Sequence, residues 1–216
     1  MESKYNFKEL MKERHSCRKF QSKKIPEDVL KDIISISLYA PSWCNSQPWT
    51  IYVATGNTLE EIRKEWITKS KNKVKGYADI HPGHRTDFSE RSQASMAQFF
   101  KLFDDLPNKS DYALDSDLFN AQAMVYLTVN KGHKEYSVLD LGGIEISIML
   151  AAKDHGVDSI PAYTTIMYPD VLRKYMKISD KEDIVIGVAL GYEEKCQFND
   201  YRAEKLTLEE ACHFFN

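Results

Sequence analysis

The chain has 216 residues, 43% hydrophobic and 12% aromatic, enough to bury a sizeable core within one domain. Its 29 basic and 32 acidic residues leave a formal net charge of −3, so it lacks the positive excess with which proteins meet nucleic acid or anionic membrane surfaces. No apolar run reaches the length of a membrane span, Met1 to Asn6 lacks the apolar segment of a signal peptide, and Cys17, Cys44, Cys196 and Cys212 form no CxxC pair; a cytoplasmic protein with reduced thiols is expected.

Residues Phe7 to Arg14 read as a short helix. A second opens at Pro26, where proline suits the first turn and Glu27 and Asp28 suit the helix dipole. Its apolar residues Val29, Leu30, Ile33, Ile34 and Leu38 fall on one stripe, and it stops at Ala40-Pro41-Ser42. Trp49 to Ala54 has the β-branched and aromatic content of a strand. Thr58 is placed to cap a helix running to about Lys69. From Lys71 to about Ser116 the pattern breaks into Lys-rich, loop-like pieces with a helix around Ser92 to Phe103, and it reads as an excursion that shapes a surface.

Ala123 to Asn130 is apolar at nearly every position, as in a strand buried on both faces. A long helix is expected from about Val138 to His155. Its residues Leu141, Ile144, Ile146, Ile148, Met149, Leu150, Ala151 and Ala152 surround the axis, so it must be covered on most sides, centrally or at a subunit interface. Gly156 ends it, Ser159 to Tyr163 reads as extended, Pro169 opens a short helix, and Ile184 to Leu190 is another buried strand. The alternation leaves α+β and α/β open, and the absence of repeats, low-complexity tracts and linkers predicts one domain over residues 1–216. The tail, 192–216, carries Tyr201, Phe214 and Phe215 and is expected to dock on something.

Three segments could carry chemistry. Arg14-His15-Ser16-Cys17-Arg18-Lys19 is either a phosphate site, built from guanidinium and hydroxyl donors, or a solvated basic turn. In Ala40-Pro41-Ser42-Trp43-Cys44-Asn45-Ser46-Gln47-Pro48-Trp49, Asn45 and Gln47 either match a heterocycle's polar edge or satisfy loop backbone, with Trp49 in the core. Asp158 to Thr165 passes from a strand through Pro161 and either offers free backbone N–H groups to a planar ligand or simply connects two elements. Asp79, His81, His84 and Asp87 flank Pro82-Gly83 in a loop with no defined face, so no metal site is expected. Gly142-Gly143 lies within a helix pattern and reads as a place for close helix packing, not a dinucleotide fingerprint. No Ser/His/Asp or Cys/His arrangement supports hydrolase chemistry.

Together these segments make the chain resemble the FMN-dependent nitroreductase family over most of its length outside the excursion. The resemblance rests on Arg14-His15-Ser16-Cys17-Arg18, Pro41-Ser42-x-x-Asn45-x-Gln47-Pro48-Trp49, Leu139-Asp140-Leu141-Gly142 and Gly187-Val188-Ala189-Leu190-Gly191-Tyr192. The Leu139 to Gly142 form and the tail with Arg202 are most similar to the nitrobenzoate-reductase-like branch. The resemblance implies an α+β fold with a central mixed sheet flanked by helices, and an intertwined homodimer holding one FMN in each of two interface pockets. By the same resemblance, Arg14 and Ser16, with Arg202 or Lys205, would hold the FMN phosphate, and His15 would contribute to that loop. Arg18 would face the pyrimidine side of the ring. Pro41, Ser42, Asn45 and Gln47 would come from the partner subunit, while Pro161, Ala162, Tyr163 and Thr164 would pass one flavin face with a backbone N–H near N5. Many family members carry Glu-Gly where this chain has Tyr163-Thr164, and the excursion lacks a clear equivalent of the family's polar contact to the pyrimidine edge.

The implied activity is ping-pong transfer of hydride from NADH or NADPH through FMN to nitroaromatics, quinones or similar small electron-poor acceptors, which requires no catalytic triad. A fixed guanidinium at Arg18 would stabilise the negative charge of reduced flavin. The alternatives are another redox specificity on the same fold, such as dehalogenation, enone reduction or flavin degradation, and an FMN-binding protein without turnover.

Overall fold

The computed structural model describes residues 6–104 and 109–215, with backbone only at 102–104 and 109–114. Four strands, β1 (Trp49–Thr55), β2 (Ala123–Asn130), β3 (Asp158–Ala162) and β4 (Glu182–Gly191), form one sheet in the order β1-β2-β4-β3. Every residue of β2 but the last is buried. Its side chains alternate between the two faces: Met124 and Tyr126 enter one apolar cluster, Val125 and Leu127 the other. Full burial of each such side chain is worth about 1.5–3 kcal/mol, which is why a strand apolar at consecutive positions takes the middle of the sheet. The three strand pairings are antiparallel. In place of the expected mixed sheet, the parallel component among the described residues is an isolated bridge, Ser16 to Ser159.

Helices α2 (Glu27–Ser37) and α5 (Glu135–Asp154) cover one face, through Leu30, Ile33, Leu141, Ile144 and Ile148. Helices α3 (Gly56–Lys71) and α6 (Pro169–Met176) cover the other, through Leu59, Ile62, Trp66, Val171 and Leu172. Helix α1 (Phe7–Glu13) starts with a capping box between Asn6 and Glu9. Helix α4 (Glu90–Asp104) lies in the excursion, and two short helices, α7 (Gln197–Asp200) and α8 (Leu208–Ala211), lie in the tail. The architecture is α+β, as expected.

Several boundaries differ from expectation. Pro26 is the N-cap of α2, not a residue of its first turn. Gly56, with φ of +51°, turns β1 directly into α3, so Thr55 is the N-cap and Thr58 lies within the helix. Helix α5 begins at Glu135, ahead of Val138, with that glutamate at the positive end of the dipole. Tyr163 opens a 3₁₀ turn, Tyr163–Ile166, instead of extending β3. Within one chain a Cβ at Gly142 would have nothing within 4 Å and one at Gly143 would make ordinary contact with the Pro41 carbonyl, so the close helix packing expected there is not found. Asp79 accepts two bonds from the Arg173 guanidinium at 3.2 and 2.8 Å and one from the Ile184 N–H at 2.8 Å, which ties the start of the excursion to the sheet. Among the described residues no helix is long and apolar enough to cross a membrane.

Candidate functional site

The chain leaves α1 in an extended conformation at Arg14 and runs beside β3, where the Cys17 N–H donates to the Ser159 carbonyl at 3.0 Å. Cys17 and Phe20 are fully buried, so the alternation of an extended segment leaves Ser16 and Arg18 partly exposed. Burial raises the Cys17 thiol well above its ordinary range. His15 is also buried, with Nδ1 3.1 Å from the Glu13 carbonyl and Nε2 3.2 Å from Glu193. Both ring nitrogens are thus engaged within the protein.

Arg18 is positioned from three sides. Its backbone N–H donates to Asn199 Oδ1 at 2.6 Å, its Nη1 donates to the Ser16 carbonyl at 2.9 Å, and its guanidinium carbon lies 5.8 and 5.7 Å from the ring centres of Phe99 and Tyr201. Burial lowers the Arg18 pKa, Tyr201 opposes that shift, and the like charge of Arg202 adds to it. Arg202 itself donates to the carbonyls of Asn199, at 2.6 Å, and Tyr201, at 3.0 Å. Lys205 is exposed. Arg14 is lowered by burial and supported by Glu145, whose own carboxyl burial raises and Arg14 lowers. The donor set is therefore cationic: Arg14, Arg18, Arg202, Lys205 and the Ser16 hydroxyl, with Arg18 and Arg202 close enough for their charges to oppose each other. Such a set fits a phosphate-bearing ligand.

Asn199 assembles this end of the molecule. It is 1% exposed, and its Nδ2 donates to the carbonyls of Lys19 at 2.9 Å and Glu194 at 2.7 Å, so one amide joins the tail to the basic turn. Sequence reasoning missed it, because nothing local distinguishes an asparagine that satisfies backbone 180 and 181 positions away.

The loop after α2 is built differently. Cys44, Asn45 and Gln47 all have positive φ, a conformation costly for residues with a Cβ. A buried carboxylate fastens their neighbours: Asp140 accepts from the Trp43 N–H at 3.0 and 3.2 Å and from the Ser46 hydroxyl at 3.4 Å. Within the loop, the Gln47 N–H donates to Ser42 Oγ at 2.9 Å and the Asn45 N–H to the Ser42 carbonyl at 3.0 Å. Pro41, Asn45 and Gln47 are exposed and Ser42 is half-buried. Asp140 stood in view within Leu139-Asp140-Leu141-Gly142, but its function as the loop's anchor was not legible.

Pro161 and Ala162 end β3 opposite Val188 and Gly187. The Thr165 hydroxyl closes the following turn onto the Ala162 carbonyl at 2.7 Å. Only glycine fits at 187, since a Cβ there would sit 2.2 Å from Thr165 Oγ1 and 3.0 Å from the Tyr126 ring. Tyr163 is half-buried with its hydroxyl pKa raised by burial. Thr164 is exposed and hydrogen-bonds Asp115, whose carboxyl burial raises and that bond lowers.

The structure thus brings the Arg14 to Arg18 turn and the tail together at the start of β3, where Ser16 bridges Ser159 and Asp158 pairs with Gly191, whereas Pro161 and Ala162 lie at the strand's other end and the 41–47 loop is held by α5. A groove of about 850 Å³ between α2, β1 and α3, floored by Leu30, Ile34, Val53 and Leu59, includes none of these residues.

The sequence profile of the nitroreductase family matches residues 11–192. A 4-nitrobenzoate reductase from Pseudomonas putida is 26% identical, covering 97% of this chain and 95% of that protein. An iodotyrosine dehalogenase 1 homolog from Caenorhabditis elegans is 39% identical over 86% of this chain and 54% of its own length. Among solved structures, the FMN-dependent nitroreductase NfnB from Mycobacterium smegmatis, in complex with NADPH, superposes with a TM-score of 0.87 at 21% identity, covering 97% of each chain. With the profile spanning most of its length and the fold shared at that level, the chain belongs to the nitroreductase family.

Proposed function

We propose that the protein is an FMN-dependent oxidoreductase that uses NADH or NADPH to reduce nitroaromatics, quinones or related electron-poor small molecules, by a ping-pong mechanism and as a homodimer. The observation that carries this reading is the basic turn beside the start of β3, where Ser16 bridges Ser159 with Arg14 and Arg18 on either side, and where Arg202 of the tail comes near enough to Arg18 for its like charge to lower the Arg18 pKa. FMN, when bound, supplies a ring that accepts hydride from the nucleotide and returns it to the acceptor. Arg14 and Ser16, with Arg202 or Lys205, hold its phosphate. Arg18 stabilises negative charge on the pyrimidine side. Pro161, Ala162, Tyr163 and Thr164 border the ring, and Pro41, Ser42, Asn45 and Gln47 reach it from the partner subunit. Tyr163, its hydroxyl pKa raised by burial, stays neutral at physiological pH, and solvent supplies the protons. His15 latches the turn to Glu193.

Dimerisation is supported by α5, which buries Leu141, Ile144 and Ile148 but leaves Leu139 67% and Tyr136 55% exposed, beside Trp43 at 60%. An apolar cleft of about 360 Å³ between α1, the end of α2 and α5 extends that face. The free cysteines suit a reducing cytoplasm.

The identity to a dehalogenase homolog favours one second reading, reductive dehalogenation of a halogenated phenol on the same site. The test is anaerobic. Purified protein should release FMN, be bleached by NADH or NADPH, and be reoxidised by 4-nitrobenzoate or a quinone, with parallel double-reciprocal lines. Released FAD, or no flavin after reconstitution, overturns the cofactor assignment. Flavin that neither nucleotide reduces leaves a binding protein, intersecting lines end the ping-pong scheme, and preferential reoxidation by iodotyrosine selects the second reading.

A further inference from the structure

The excursion and the tail are far apart in sequence yet meet over Arg18. Phe99 of α4 and Tyr201 of the tail approach the guanidinium to 5.8 and 5.7 Å, and the two rings contact each other edge to face at 5.7 Å. Two hydrogen bonds fasten α4 to the tail alongside them: Gln98 Nε2 to Glu204 Oε2 at 2.6 Å and Arg91 Nη1 to the Glu210 carbonyl at 2.9 Å. The guanidinium is also fixed at Nη1 by the Ser16 carbonyl. Aromatic faces attract a cation at these distances, so the pair narrows the orientations open to a long side chain that otherwise carries much rotamer freedom.

We propose that Phe99, acting with Tyr201, is a positioning residue for Arg18, so that docking of α4 on the tail sets how strongly Arg18 stabilises reduced flavin. The inference rests on the assignment of Arg18 to the flavin's pyrimidine side. It assigns the excursion a function besides shaping a surface: a ligand that moves α4 also changes the electron affinity of the cofactor. The electrostatic contribution of a guanidinium depends on its distance and direction from the developing charge, and a leucine at 99 fills space without offering a quadrupole.

The experiment is spectroelectrochemical titration of holoenzyme variants. Phe99→Leu should shift the reduction equilibrium about fivefold towards oxidised flavin, ~20 mV for a two-electron couple, with FMN affinity within about threefold of the parent. Phe99→Tyr, which keeps the ring, should restore the parental potential. In an Arg18→Ala background Phe99→Leu should add nothing. If Phe99→Leu fails to fold, Tyr201→Leu with Tyr201→Phe as its rescue replaces it, with the same expectations. A potential unmoved by Phe99→Leu while Arg18→Ala lowers it overturns this inference alone. An equal Phe99→Leu shift in both backgrounds also overturns it, because the ring would then act on flavin directly. A potential unmoved by Arg18→Ala overturns the Arg18 assignment and this inference with it.

Discussion

The Arg14 to Arg18 turn and the Pro41 to Gln47 loop are both rich in polar groups, yet the fold holds them by different means. The turn is bonded to β3 through Ser159 and to the tail through Asn199, so its geometry is part of the sheet's. The loop carries three residues in the left-handed region, is bonded internally to Ser42, and is fastened to α5 by Asp140, so its attachment runs through one carboxylate. A segment built into the sheet can be altered only at a cost to the whole fold. A loop on a single anchor can be altered at a cost mainly to what it binds.

The sharpest way to break this contrast is to remove each anchor in turn. Asn199→Ala deletes three hydrogen bonds at a buried position and should destabilise the protein by about 2–4 kcal/mol, seen as a lower midpoint in urea with unchanged slope. Asp140→Ala should cost less global stability, about 1–3 kcal/mol, while weakening FMN binding and dimer association disproportionately. Equal stability losses with equal flavin affinities would erase the distinction.

Glu145 faces Arg14 of the turn. Burial raises its carboxyl pKa in the folded state, so folding favours the protonated form. The associated cost is absent below the unfolded glutamate range and fully developed above the folded pKa. Glu145→Gln should therefore raise the melting temperature at neutral pH and lose that advantage on acidification. A gain confined to acid pH would reverse the assignment.

The two segments also differ in their thiols. Cys17 is buried with its pKa raised, whereas Cys44 is exposed, so alkylation followed by peptide mass analysis should label Cys44 and spare Cys17 in folded protein. The smallest expected effect is at Tyr163. Tyr163→Phe should retain most turnover, and a hundredfold loss with normal flavin reduction would identify the hydroxyl as a proton donor.

The pattern of legible and illegible features follows the same division. Strand β2 and the stripe of α2 were readable because period-two and helical periodicities record which faces are buried. The Arg14 to Arg18 turn and the 41–49 loop were readable as clusters of donors. Asn199, Asp140 and Phe99 were not, since each acts on residues about 80 or more positions away and leaves no local spacing. The start of α5 at Glu135 was missed because that first turn, Glu135 to Val138, precedes the apolar run, and the turn at Tyr163 because it depends on the Thr165 hydroxyl and on space left by Gly187.

The assignment of the basic turn after α1 as a phosphate site is open to a direct comparison of FMN with riboflavin, which lacks only the phosphate. Fluorescence titration of the apoprotein should show a strong preference for FMN, and Arg14→Ala should reduce that preference about 10- to 100-fold, as loss of a charge-assisted hydrogen bond predicts, while leaving riboflavin affinity nearly unchanged. Equal discrimination in the parent and in Arg14→Ala would contradict it.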